Sequence, residues 1–315
     1  GSACFSSPVA PESAAERSFT RPRWARYARL MANPSVLKTA AADWAGTRGE
    51  RWRAELTRME AMLAPVDEPL LSALRLDAPL RIADVGCGGG GTAFAIQRHA
   101  PAGSTVHGFD LSPALIEAAR ERAAGIKPAP TFEVLDVAKA RPPHAPYDRM
   151  TSRFGTMFFD DPSAAFKSLA AWLAPGGRLA FAVWGFPSDN TWMTTVRDAV
   201  AEIVEVPRAD LKAPNLFRYG DVELLLALLR EAGLVELEVR DWQGPLPMGG
   251  GLPAGEAAEF ALNAFSAFAD LLTAAGGDAR SRAQQGLSKR FALHESDGVV
   301  RLVATVHIVT GVRPA

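Results

Sequence analysis

The stretch Asp84-Val85-Gly86-Cys87-Gly88-Gly89-Gly90-Gly91 restricts the fold of this chain more than any other. It closes the short apolar run "PLRIADV" and opens the helical run "TAFAIQRHA". A strand that ends in glycines must turn sharply, and positions without a side chain let the backbone approach a ligand closely. The N-terminus of the next helix offers amide donors at the same point. Two spacings are satisfied at once. Asp84, Gly86, Gly88 and Gly90 give acid-x-Gly-x-Gly-x-Gly, while Gly86, Gly88 and Gly91 give the dinucleotide pattern G-x-G-x-x-G, with Asp110 at a suitable distance. The glycines alone leave two ligand classes open.

Strand and helix continue to alternate beyond the turn. "STVHGFDLS", "TFEVLDV", "YDRMTSRFG" and "RLAFAVWG" read as strands. Ser112-Pro113 supplies an N-cap and an N1 proline for one helix, and Asp161-Pro162 opens another that stops at Pro175-Gly176-Gly177. Five strands alternating with helices predict a parallel, doubly wound α/β sheet covered on both faces. "LVELEVRDW" and "GVVRLVATVHIVTGVR" add two strands after the fifth.

Three acids separate the two ligand classes. Asp84 stands just ahead of Gly86, near the strand end. A carboxylate there repels a pyrophosphate but attracts the cationic aminopropyl group of S-adenosylmethionine. Asp110, followed by Leu111, ends the second strand, where it can accept both hydroxyls of a ribose. Asp136, followed by Val137, ends the third and suits an adenine amino group with an aliphatic wall against the ring. Acids at the ends of three successive strands share one rim, where open α/β sheets bind ligands.

Together "RIADVGCGGGG", "VHGFDLSPALIEAAR", "TFEVLDV" and "YDRMTSRFGTMFFDDPSAAFKSLAAWLAPGGRLAFAVWG" resemble the successive motifs of the class I S-adenosylmethionine-dependent methyltransferases. The likeness is greatest to the bacterial quinone-biosynthesis and small-molecule branch, and covers about residues 40–312. It implies a Rossmann-like seven-stranded sheet with the last strand antiparallel, helices on both faces, N-terminal helices and helical lid insertions. It also implies that Asp84, Gly86, Cys87 and Gly88 line the methionine end of the cofactor, Asp110 and Leu111 the ribose, and Asp136 and Val137 the adenine. Ser152 counts among the cofactor-binding residues, and Trp44 and Trp52 resemble tryptophans on a helix that closes over the cofactor. S-adenosylhomocysteine would be the product.

Methyl transfer is an in-line displacement at an activated sulfonium carbon. The chain must chiefly align the acceptor, exclude water and take a proton where the nucleophile carries one. Ser152, Arg153 and Phe154 occupy the end of the fourth strand, where Arg153 is expected either to orient an anionic acceptor or to serve as a packing residue. Met157 is expected to border the acceptor, with Phe158 and Phe159 in the core. An antiparallel last strand starts on the rim where the parallel strands end. His294, just before it, is therefore the candidate general base, with His307 farther along. His99, His107 and His144 read as structural. Asp189-Asn190 follow the fifth strand, but the fourth ends without an acid, so no metal site is expected.

The 315 residues suit a core of ~200–250 with additions. The expected organisation is a disordered, tag-derived start (1–20), an N-terminal helical cap (21–76), and a domain over 77–315 with lid insertions at 186–220 and 244–290. A formal net charge of −1 argues against nucleic acid as the main partner, although Arg21, Arg23, Arg26 and Arg29 cluster locally. Cys4 and Cys87 stand at no metal or redox spacing, which excludes an iron–sulfur cluster and a disulfide framework. No apolar run approaches the ~18–20 residues of a membrane span, and the opening lacks a secretory signal. The expected setting is the cytoplasm, the expected partner a small-molecule acceptor, and a homodimer is left open. Two alternatives stand beside this reading: a pericyclase-like protein that holds S-adenosylmethionine without transferring methyl, and an NAD(P)-dependent oxidoreductase, which Asp84 disfavours.

Overall fold

The computed structural model describes residue 1 and residues 40–207 and 213–315. The expectations for 1–20 and for the arginines at 21–29 lie outside the described residues. By contacts the chain divides into units 1–38 and 39–315, and everything below concerns the second.

Parallel strands buried on both faces are mostly apolar, and β1 (Arg81–Val85), buried in all but its first residue, follows this with Asp84 as its one buried acid. Around it stand β2 (Thr105–Asp110), β3 (Thr131–Val134), β4 (Tyr147–Arg153) and β5 (Leu173–Trp184), all parallel, in the order β3-β2-β1-β4-β5. The long β8 (Val299–Val312) runs antiparallel beside β5, and β6 (Val235–Pro247) forms the outer edge beyond it. The two-residue β7 (Glu295–Ser296) folds back on β8. The sheet is thus a seven-stranded Rossmann-like one whose last strand is antiparallel, as expected. The chain leaves β1 toward β2 and later returns on its other side to β4. That topological switch point places a crevice at the strand ends.

Two layers of helix cover the sheet. On one face lie α4 (Asp67–Leu74) and α5 (Gly91–His99); on the other lie α7 (Pro162–Trp172) and α9 (Val222–Glu231). The expected caps are present. Ser112 Oγ accepts from the Leu115 amide to start α6 (Pro113–Ala123), and the Asp161 carboxylate accepts from the Ala164 amide to start α7. Ahead of the sheet come α1 (Ala40–Trp44), α2 (Thr47–Ala54) and α3 (Leu56–Leu63), where Leu56, Met59, Met62 and Leu63 form the buried stripe.

Three boundaries differ from the sequence expectation. Helix α7 ends at Trp172, so Pro175-Gly176-Gly177 lies within the start of β5. Strand β3 stops at Val134, which leaves Asp136 in the turn after it. Finally, β6 and β8 pair beyond the end of β5: Trp184 is level with Val306, yet the ladder runs on to Pro247 and Arg301. This two-stranded ribbon carries α10 (Ala254–Ala264), α11 (Ser266–Ala275) and α12 (Ala279–Ala292), while α8 (Thr191–Ala201) follows β5. No helix among the described residues is long and apolar enough to cross a membrane.

Candidate cofactor and acceptor site

The glycine turn is anchored from below. The Gly86 and Cys87 amides both donate to the Phe109 carbonyl, at 2.7 and 3.1 Å. Gly86 has φ +66°, and a Cβ there would stand 2.9 Å from Gly155 Cα, because the chains leaving β1 and β4 touch at this point. Only glycine satisfies both conditions. Gly88 differs: its φ is +54°, and the space a Cβ would enter is open. Gly89 and Gly91 are covered, by Leu56 and Glu60 of α3 respectively. Along this turn a ligand therefore meets the backbone at Gly88.

The three aspartates stand in different states. Asp84 is 1% exposed, and neither carboxylate oxygen has a hydrogen-bond partner among the described residues. Burial pushes its pKa up to about 8; the Arg153 charge opposes this, and the Asp67 and Asp110 charges add to it. An unpartnered buried carboxylate is unfavourable and is relieved by a cation. Asp110 is held by the Gly88 amide at 2.8 Å and the Ser112 amide at 2.9 Å, one to each oxygen. Its pKa is raised by burial against those two bonds, and each oxygen keeps acceptor capacity. Asp136 accepts from the Ala138 amide and pairs at 2.8 Å with Lys139, an exposed side chain.

The remaining cofactor candidates divide by which atoms reach the turn. The Cys87 thiol is buried, packs where a Gly108 Cβ would be, and is raised well above its ordinary range by burial, so this residue offers the turn its backbone. Val137 is buried in the core, and its carbonyl accepts from Ser168 Oγ. Leu111 is half-buried between Asp110 and the cap of α6. Ser152 is fully buried, its hydroxyl unpartnered among the described residues and 3.0 Å from where a Gly155 Cβ would stand. Trp44 and Trp52 meet edge to face at 5.7 Å, and Trp44 also packs on Phe158 at 5.1 Å. Both are half-buried on helices that reach the rim, since Gly49 of α2 presses on Ser112 Oγ.

Arg153 is not brought to an acceptor surface. Its side chain, 9% exposed, turns along the α4 face and bonds Asp67 at 3.0 Å, beside Asp84. Thr92 of α5 donates to the other Asp67 oxygen at 3.1 Å. Asp67, Thr92 and Glu60, which accepts from the Gly91 amide and from Arg122, were not singled out from sequence. Single polar residues on amphipathic helices carry no spacing that announces them.

The histidine order is inverted. His294 O accepts from the Arg301 amide, which places it five residues along β8 from Val306. At about 3.4 Å per residue that is roughly 17 Å past the end of β5, and the His294 side chain is exposed. His307, level with Val183 near the end of β5, is the histidine at the rim, but both its nitrogens are engaged: Nδ1 with Asp241 at 2.6 Å and Nε2 with the Gly220 carbonyl at 3.3 Å. The expectation that His294 lies nearer the rim fails because β8 overshoots the sheet. His107 bonds Tyr147 and is lowered to about 4 by burial, with His144 adding to the shift; His99 bonds the Ala95 carbonyl.

Beyond β4 and β5 the rim is aromatic. Phe154, with φ +64°, stacks on Trp184 at 4.0 Å and 5°, Trp184 meets Trp192 at 4.8 Å, and Trp192 meets Phe265 of the α10–α11 junction at 5.3 Å. Trp184 Nε1 and Thr156 Oγ1 are buried and unpartnered among the described residues. Met157 is fully buried, whereas Phe158 and Phe159 are only partly so. Among the described residues no three His, Cys, Asp or Glu stand together as a metal site would require.

A methyltransferase-domain family model matches residues 82–177, from β1 through the start of β5. Phosphoethanolamine N-methyltransferase 1 of Zea mays is 34% identical over 117 residues, 37% of this chain and 23% of that protein. Trans-aconitate 2-methyltransferase of Methylobacterium nodulans is 33% identical over 140 residues, 44% of this chain and 49% of that one. This chain therefore spans less than half the length of either relative. Among solved structures, phosphoethanolamine N-methyltransferase 2 of Haemonchus contortus superposes with TM-score 0.52 at 16% identity, over 89% of this chain and 61% of the other. The YcgJ protein of Bacillus subtilis gives 0.52 at 15%, over 80% and 99%. The likeness in sequence is concentrated on the glycine turn and the strands around it, and the likeness in fold extends over most of the chain. Residues 82–177 carry the core of a methyltransferase domain, and the chain around them shares the fold of these solved structures.

Proposed function

We propose that this protein transfers a methyl group from S-adenosylmethionine to a small, largely hydrophobic acceptor without a metal ion. Asp84 carries the reading: a buried, unpartnered carboxylate beside a glycine turn suits a cationic ligand and repels a pyrophosphate. The relatives support it, since the matched proteins are methyltransferases of phosphoethanolamine, trans-aconitate and, at 29% identity over 146 residues, aklanonic acid. The Haemonchus contortus enzyme was solved in complex with S-adenosylhomocysteine.

When bound, the cofactor supplies a methyl carbon already activated by sulfonium. The chain's residues do the rest. Asp84 faces the ammonium of the amino-acid tail, and Gly86, the Cys87 backbone and Gly88 let that tail lie against the turn. Asp110 has lone pairs left for two ribose hydroxyls, beside Leu111. Asp136 accepts from the adenine amino group, next to Val137. Trp44 and Trp52 close that side as part of the helical cap, and Ser152 supports the crossing beneath Gly86.

Helices α8 and α10–α12 form the lid, and Phe154, Trp184, Trp192 and Phe265 form an uncharged wall for the acceptor. Trp184 Nε1 and Thr156 Oγ1 are the polar groups there that can orient it. The wall supplies alignment and excludes water, the main requirements of the displacement. His294, exposed beyond the rim, is not kept as the base. Asp189 has no acidic counterpart at the end of β4 and accepts from Ser188, which supports the metal-independent reading. The near-neutral charge supports a small molecule rather than nucleic acid as partner.

Calorimetry with S-adenosylhomocysteine tests the first half. Binding of S-adenosylhomocysteine without NADH binding is the expected result; the reverse overturns it. Incubation of methyl-labelled S-adenosylmethionine with neutral aromatic and anionic acceptors tests the second half, with label expected in the neutral set.

A further inference from the structure

The residues behind the glycine turn form a buried ionic cluster that strand-end logic does not require. Arg153 projects from the end of β4 on the face covered by α4 and α5. Its strongest partner is Asp67 at 3.0 Å, which Thr92 holds from its other oxygen at 3.1 Å. Asp84 lies level with Thr151 of β4, so Arg153, two residues on, leaves the sheet on the same face as Asp84, and the charged groups acting on Asp84 include Arg153, Asp67 from α4 and Asp110 from β2. Helix α5 presents only the Ala93 amide, which favours the ionised form without closing a hydrogen bond of normal geometry. The turn itself presents the Cys87 thiol, buried and neutral. Asp67 in turn feels Arg153, Glu60 and Arg98. Among the described residues Arg153 is the cation that acts most strongly on Asp84, and Asp67 engages it directly.

We propose that Arg153 is a positioning residue that makes the Asp84 carboxyl easier to ionise when the ammonium end of the cofactor arrives, and that Asp67 limits this by engaging the same guanidinium. This rests on the cofactor reading above. Burial pushes Asp84 up, the Arg153 charge is the largest opposing influence, and the Asp67 charge reinforces burial. The two partners therefore act on Asp84 with opposite signs. Removing Arg153 makes Asp84 harder to ionise; neutralising Asp67 makes it easier. A guanidinium that merely packed α4 against β4 would produce no such opposition.

The affinity of S-adenosylhomocysteine, measured by calorimetry from pH 5.5 to 9.5, reads this directly. The alkaline limb reflects the ligand's own amine and is shared by every variant, whereas the acidic limb reports Asp84. Arg153→Gln should move the acidic limb to higher pH, weakening binding about tenfold at pH 7 and less than about threefold at pH 9. Asp67→Asn should move it to lower pH and tighten binding at pH 6 relative to the unaltered chain. Arg153→Lys, which keeps the charge, should restore most of the limb. If Arg153→Gln does not fold, the opposed limbs of Asp67→Asn and Arg153→Lys still decide. In the unaltered chain, titrations at pH 7 in two buffers of different ionisation enthalpy should show proton release on binding. An equal loss at every pH in Arg153→Gln, or limbs that move the same way in both partners, overturns the proposal. Failure of the unaltered chain to bind at any pH instead overturns the cofactor reading.

Discussion

The two halves of the rim are built on opposite principles. At β1, β2 and the turn after β3, the ligand surface consists of a few fixed groups: Asp84, Asp110, Asp136 and an open Gly88. At β4, β5 and the helices beyond them it is backed by buried rings packed on rings: Phe154, Trp184, Trp192 and Phe265. The first half holds one unsatisfied carboxylate, Asp84, beside two that are already bonded, and so is suited to select a ligand by charge. The second is uncharged and selects by shape, which tolerates exchange of one ring for another. On the proposed function, cofactor recognition is therefore sparse and rigid, whereas acceptor recognition is distributed.

The largest effect expected is at the crossing of the two chains. Gly86→Val should abolish folding or binding outright, because the side chain would meet the Gly155 backbone and adopt a left-handed φ that alone costs about 1–2 kcal/mol. Circular dichroism and a urea melt check this. Next, Asp84→Asn should weaken S-adenosylhomocysteine about 100-fold at pH 8, the scale of a lost charge-assisted contact.

The same variant should gain stability without ligand. With its pKa near 8 in the fold and near 4 when unfolded, Asp84 binds its proton more tightly in the folded chain. Stability is then full below about pH 4 and falls as pH rises toward 8. Asn has no charge to bury, so its Tm should exceed that of the unaltered chain at pH 8 by at least about 2–4 °C, and the difference should vanish at acid pH. Equal melting at both pH values would contradict the electrostatic description of this half.

Smaller effects sharpen the other side of the comparison. Phe154→Leu should leave cofactor affinity within about twofold while raising the acceptor KM about tenfold, since one ring stack supplies about 0.5–1.5 kcal/mol. Lys139→Ala should change cofactor affinity least, because its pair with Asp136 lies in solvent, where ion pairs contribute little.

The same division governs what could be read before the structure. The glycine turn, the three acids and the parallel sheet were legible because each is a local pattern: spacing along one strand, one turn, one cap. The Arg153–Asp67 pair was not, since its members are far apart in the chain and each is unremarkable by itself. Arg153, which the sequence leaves open between an acceptor ligand and a packing residue, faces α4 because of its parity along β4, and only the pairing register sets that. His294 was misplaced for the same reason. The apolar run of β8 shows that a strand exists, but not where the end of β5 crosses it; the pairing of Trp184 with Val306 does. Aromatic residues after β5 and β6 were visible in sequence, but which of them stack was not.

The most direct test is a crystal structure of the chain with S-adenosylhomocysteine. The account predicts the amino-acid tail against Gly88 with its ammonium beside Asp84, the ribose hydroxyls on Asp110 and the adenine between Asp136 and Val137. A dinucleotide in that crevice, or a tail directed away from Asp84, would contradict it.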